Sequence, residues 1–302
     1  MPTSRSSRVL SPDRYPLASH PHLTPRDRHL LRLLEDHRVF TGLQIQRILF
    51  THRRTCGLRL ELLRGLDLID KFRFARPYGG SEPWKWVLGL TGARFQAAAA
   101  NHPTPTERAH RERILRLTAS PTLTHLLTTN EFFVRLHHAT RTSNTTSSGS
   151  SLTRWWSEKT STARFPGIAP DGHGLWSTGD HTVGFFLECD RGTENLTRLA
   201  TKLTAYARLA AAGGPRYPVL FWLPSPDRET NLQRLLRADP PPVPVATATH
   251  DADPAGPVWM LTYGRTRLPL HDLPTDHGPN TASNPNWRDG SLDLGEHRDG
   301  PR

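Results

Sequence analysis

Cysteine is almost missing from this chain: Cys56 and Cys189 are its whole supply. The two form no CxxC pair and no disulfide framework, which argues against thiolate-bound zinc. No run approaches the roughly 18 to 20 apolar residues of a membrane-spanning helix. The opening MPTSRSSRVLSPDRYP also lacks the hydrophobic core of a secretory signal. Both absences lead to the expectation of a soluble, cytoplasmic protein with no membrane partner. Lysine is scarce too, confined to Lys71, Lys85, Lys159 and Lys202, although lysine and arginine together number 39. The net charge of +11 is therefore carried by arginine, which bonds phosphate bidentately and points to a polyanionic partner. Apolar residues reach only 35%, while 27 prolines and 22 glycines interrupt the chain. Residues 1–22 and 265–302 show no apolar period and read as disordered tails.

Between the tails the apolar period is clear. Thr24 caps a helix that starts at Pro25 and carries Leu30, Leu33 and Leu34 at helical spacing. Thr41 caps a second helix, GLQIQRILF, which is expected to bury Leu43, Ile45 or Ile48, and Leu49. A third helix follows Thr51–Thr55, with Leu58, Leu62, Leu63 and Leu66 apolar and arginines elsewhere on it. The period then changes from 3.6 to 2, and residues 68–90 read as a β-hairpin with Gly79-Gly80 at its tip. Three short helices and a two-stranded wing define a winged helix-turn-helix over residues 23–97. Residues 26–76 hold twelve Arg or Lys against six Asp or Glu, a surplus of six. On such a scaffold the start of the third helix enters the major groove, which puts Arg53, Arg54 and Arg59 nearest the bases. Lys71, Arg73 and Arg76 are left for double-stranded DNA's backbone beside the wing, and Arg64 completes the DNA-binding set.

Residues 98–151 read as a helical connector ending in a flexible loop, RTSNTTSSGSS. Residues 152–264 then alternate strand, PDG turn, strand, longer strand, helix and strand, an α/β domain. With the connector helix as opener, the α-β-β-β-α-β order resembles the restriction-endonuclease-like fold of the PD-(D/E)xK nucleases. In the strand HTVGFFLECD, Glu188 and Asp190 share a face, about 7 Å apart, while Cys189 points the other way. Asp171 in Pro170-Asp171-Gly172 is placed to join them, and three oxygen donors suit Mg²⁺. The lysine that the resemblance implies two residues after the acid is replaced by Asp190. Lys202, on the flank of the following helix, is the candidate to take its place.

Pro170-Asp171-Gly172, the run from Phe186 to Glu194, the Lys202 to Tyr206 end of the helix, and His125 with Asn130 carry a second likeness. Together with the N-terminal helices they resemble the replication-relaxation family of actinobacterial plasmids and integrative elements, over roughly residues 24–262. That resemblance implies a DNA-binding protein of a plasmid or mobile element, acting in replication or DNA relaxation, alongside other replication or conjugation proteins. Two alternatives stay open. One is a Mg²⁺-dependent nicking endonuclease with Asp171, Glu188 and Asp190 on the metal and Lys202 on the phosphate. The other is a winged-helix transcriptional regulator.

Overall fold

The structure, a computed structural model, describes residues 23–143 and 149–294. The expected N-terminal tail, the middle of the RTSNTTSSGSS loop and residues 295–302 lie outside the described residues. Helix α1 (Pro25–His37) begins with a reciprocal cap. The Thr24 hydroxyl accepts from the Asp27 N–H at 3.3 Å and the Asp27 carboxylate accepts from the Thr24 N–H at 2.7 Å. Thr41 and Gln44 repeat the device at α2 (Gly42–Leu49), and α3 spans Arg53–Gly65. Strands β2 (Ile69–Phe72) and β3 (Lys85–Leu88) pair antiparallel, and β1 (Phe40–Thr41) adds to β3 on the other side. Gly79 and Gly80 lie between β2 and β3, both at positive φ, where a Cβ would be strained.

The buried seam of α3 is Cys56, Leu60 and Leu63. Leu58 and Leu62 are 67% and 47% exposed, and Leu43 on α2 is 53% exposed, contrary to the apolar reading of those positions. Local periodicity does not say which of two adjacent leucine rows meets the core, and the packing of α3 on α2 chose the other row.

Helices α4 (Leu90–Ala99), α5 (Glu107–Thr118) and α6 (Leu123–Ser143) follow. Helix α6 joins both ends of the molecule: Val134 belongs to the N-terminal core, while Phe132, Phe133 and Leu136 belong to the core of the sheet. It is a shared wall more than a connector.

The main sheet has six strands in the order β4 (Ser150–Ser157), β5 (Gly172–Thr178), β6 (His181–Cys189), β7 (Val219–Leu223), β8 (Val245–Thr249) and β9 (Met260–Leu261). The first three are antiparallel, β6, β7 and β8 are parallel, and β9 turns back. The parallel steps pass through α8 (Leu196–Ala211) and α9 (Pro226–Ala238), whose apolar faces cover one side of the sheet. A short helix, α7 (Glu158–Arg164), interrupts what reads as strand after Trp156; Ser157 caps it by accepting from the Thr160 N–H.

Residues 265–294 are packed, which corrects the tail expected from composition. Leu268, Leu270 and Leu273 fill the far face of the sheet with α6. The Gly184 N–H donates to Thr275 Oγ1 at 3.1 Å, and Arg154 Nη1 donates to Asn286 Oδ1 at 2.8 Å. A strap needs no period of its own when each apolar residue plugs a surface that other elements have already made.

Candidate functional site

A cleft of about 1140 Å³ opens between the end of α1, the start of α6 and the end of β6. Gly172 pairs with Leu187 across β5 and β6, so Asp171 and Glu188 stand one register step further out, toward this cleft. Asp171 is anchored from two sides: its Oδ2 accepts from the Cys189 N–H at 2.7 Å, and its Oδ1 lies 2.9 Å from His125 Nε2. The bond to Asp171 raises the pKa of His125 against the opposing effect of burial.

Glu188 is buried, with 2% of its surface exposed. Lys202 Nζ donates to its Oε2 at 2.8 Å and the Tyr206 hydroxyl donates to its Oε1 at 2.5 Å. Helix α8 supplies both donors because residues four apart share a face. Burial pushes the Glu188 carboxyl up to about 7, the Asp171 carboxylate adds to the rise, and Lys202 and Tyr206 oppose it. Burial works against the Lys202 ammonium, yet Glu188, Asp171 and Glu194 together raise its pKa. Lys202 therefore stays charged and reaches a second carboxylate, Glu194, at 3.6 Å. Tyr206 lies beneath Glu188, away from the cleft lining, with its phenol pKa raised by burial and by that carboxylate. It positions Glu188.

Asp190 also lines the cleft, but its carboxylate is already held. Arg228, on the first turn of α9, donates from Nε to Asp190 Oδ2 at 2.5 Å and from Nη2 to Oδ1 at 3.2 Å, and the Gly192 N–H adds a bond to Oδ1 at 3.0 Å. Both oxygens are thus committed to structure. Among the described residues no three His, Cys, Asp or Glu side chains gather as a metal centre would need. The cleft brings together Asp171, Glu188, Asp190 and Lys202, with Asp190 held by Arg228, and adds His125, which the sequence marked only through the family likeness. Arg228 gave no sequence signal at all.

The seven basic residues read as a DNA surface separate as well. Arg59 forks onto the buried Asp27, Nε to Oδ1 at 2.9 Å with Nη2 on Oδ2, and so belongs to the fold. Arg64 bonds Glu61 at 2.9 Å, and Lys71 bonds the same carboxylate. Arg73 lies over the Trp84 ring, 4.2 Å from its centroid, with Lys71 over the same ring at 4.5 Å. Arg53, Arg54 and Arg76 are exposed and have no ion-pair partner among the described residues.

Fold and cleft define a mixed α/β protein whose helical N-terminal part and six-stranded sheet share a helix and enclose a charged cleft. Residues 31–219 match the family described as Replication-relaxation, and the chain belongs to that family. Membership ties it to replication or relaxation. No curated protein and no solved structure matches the chain. Among the described residues no helix is long and apolar enough to cross a membrane.

Proposed function

We propose that this protein binds double-stranded DNA through a winged helix-turn-helix, residues 23–97, and acts on it in replication or relaxation with a PD-(D/E)xK-like domain that begins at residue 152. The observation that carries the binding role is the start of α3. Thr24, Thr41, Thr106, Ser157, Asn195 and Ser225 each cap a helix with a side-chain oxygen, whereas His52 at α3 and Gly89 at α4 give none, and at α4 the Asp67 carboxylate accepts from the Thr91 N–H instead. The two residues after His52 are Arg53 and Arg54. Cations at the positive end of a helix dipole oppose its stability, and free N–H groups beside them suit a phosphate. The test is duplex affinity against salt for Arg53→Ala with Arg54→Ala. A loss of two phosphate contacts lowers the logarithmic salt slope by about 1.8; an unchanged affinity and slope would falsify the groove assignment.

A second reading, a metal-dependent nicking activity, is favoured by the meeting of Asp171, Glu188 and Lys202 on one cleft wall. With Asp190 tied to Arg228, the oxygen set contracts to Asp171 and Glu188. Two carboxylates suit Mg²⁺, which keeps several waters and takes its remaining ligands from substrate phosphates. Bound there, the ion would polarise a phosphoryl oxygen. The chain's own residues have defined tasks: Tyr206 and Lys202 orient Glu188, His125 orients Asp171, and the Lys202 ammonium faces the charge that develops on phosphate. Supercoiled plasmid incubated with Mg²⁺ or Mn²⁺ is expected to become nicked by the native protein and to stay intact with Glu188→Ala. Equal nicking by both proteins, or none by either, refutes the activity and leaves the domain a binding module.

A further inference from the structure

The link from α1 to β1 makes a turn that its residue resists. Arg38 has φ 70° and ψ −41°, and the Val39 N–H donates to the His37 carbonyl at 2.8 Å. A three-residue turn of this hand is rare and strained for any residue with a Cβ. It is held from several sides. The Asn130 side-chain amide, buried on α6, donates to the His37 carbonyl at 3.2 Å and to the Val39 carbonyl at 2.8 Å. The His37 ring stacks on Trp155 with centroids 3.9 Å apart, and Val39 is fully buried. Strain maintained by so many contacts is a mark of a functional position.

What the turn presents is the Arg38 side chain, exposed and on the cleft wall. It has no hydrogen-bond or ion-pair partner among the described residues. Burial lowers its pKa, Arg113 and Arg116 lower it further, and Glu158 opposes them. Arg113 is already held by Glu35 at 3.0 Å. On this side of the cleft Arg38, Arg113 and Lys159 stand with Glu35, Asp36 and Glu158, so the charges balance and an added anion meets Arg38 as a cation that no carboxylate among the described residues holds. The same cleft holds Glu188 and Lys202 further in.

We propose that Arg38 binds the phosphodiester backbone of single-stranded DNA in this cleft and leads the strand toward Asp171, Glu188 and Lys202. This rests on the reading that the cleft acts on DNA, and it names the form of DNA the cleft takes. A volume of about 1140 Å³ is close to the upper range of small-ligand sites, room for a short run of one strand. The Trp155 ring is already stacked, by His37 and by Phe133 at 5.1 Å. The grip is therefore on phosphate and tolerant of sequence.

Glycine accepts the backbone angles of residue 38 without strain, so Arg38→Gly removes the guanidinium while easing the turn. The experiment measures the affinity of a labelled oligothymidylate and of a duplex, by fluorescence anisotropy across a salt series, for the native chain, Arg38→Gly, and Arg53→Ala with Arg54→Ala. Arg38→Gly is expected to melt no lower than the native protein and to bind the single strand about tenfold more weakly, the loss of one charge-assisted contact. Its salt slope on the single strand should be shallower by about 0.7, with duplex affinity unchanged; the α3 variant should show the reverse. Native protein that ignores the single strand, an Arg38→Gly affinity equal to native, an equal loss on both DNA forms, or a lower melting point each overturns the proposal. Plasmid nicking is scored separately: its absence beside a selective single-strand loss rejects the nuclease reading and leaves the Arg38 site standing.

Discussion

Replacing Lys202 with methionine removes the ammonium 2.8 Å from Glu188 Oε2 and keeps a side chain of similar reach. Glu188 is 2% exposed, so its proton equilibrium reports its surroundings with little solvent screening. Its pKa moves from an ordinary 4.5 to about 7. A folded-state pKa above the unfolded value means that the folded protein holds the proton more tightly. Stability from this group is complete below about pH 4.5, is lost as pH rises to about 7, and is level beyond, a fall of about 3 kcal/mol at about 1.4 kcal/mol per unit. Lys202 opposes the rise, so in Lys202→Met the fall continues past neutrality. At about pH 6 both proteins carry the proton and differ little. At about pH 8.5 the variant loses up to a further 2 kcal/mol, the product of about 1.5 pH units and the same slope. Urea unfolding at the two pH values measures the difference. Equal losses at both would refute the buried pair, as would a pH dependence that persists when Lys202→Met is placed in a Glu188→Gln background.

Arg53→Ala with Arg54→Ala should stabilise the protein by roughly 0.3 to 1 kcal/mol per residue while weakening duplex binding, because the helix dipole loses two opposing charges; thermal melting checks the sign. Asp190→Asn leaves the Arg228 guanidinium without its carboxylate and should cost about 3 kcal/mol in urea unfolding, yet any metal-dependent nicking by the folded variant should persist, unlike that of Glu188→Ala. Loss of that nicking would return Asp190 to the metal. Removal of residues 265–302 uncovers the sites of Leu270 and Leu273, which are 0% and 2% exposed, and should cost at least about 3 kcal/mol at 1.5 to 3 per buried leucine. A truncated chain with a native melting temperature would show the strap to be dispensable.

The legible parts of this fold were those whose causes are local. Thr24 with Asp27, and Thr41 with Gln44, mark helix starts within four residues, and the change of period at the hairpin is visible in a window of ten. Helix α7 was hidden because the alternation of β4 runs up to its capping Ser157. The shared face of Glu188 and Asp190 was read from strand geometry, and both do meet helices on the same side, Lys202 of α8 and Arg228 of α9. Asp190, however, lies past the last residue of β6, and its orientation follows α9, 38 residues on. Arg59 looked like its neighbours Arg53 and Arg54 for the same reason: its carboxylate partner sits 32 residues away.

The sequence alone determined the order of most helices and strands between residues 23 and 264, the arginine-rich N-terminal surface and the spacing that puts Asp171, Glu188 and Lys202 within reach of one another. These depend on periodicity, capping and charge, which act over a few residues or over the whole chain at once. Only the tertiary structure decided which charges are already paired and which remain for a partner. Pairing depends on distances of a few ångströms between residues remote in sequence, and on burial that raises the strength of each contact. Asp190 and Arg59 went to the fold by that rule. Arg38, with nothing in its own sequence to mark it, was left facing the cleft.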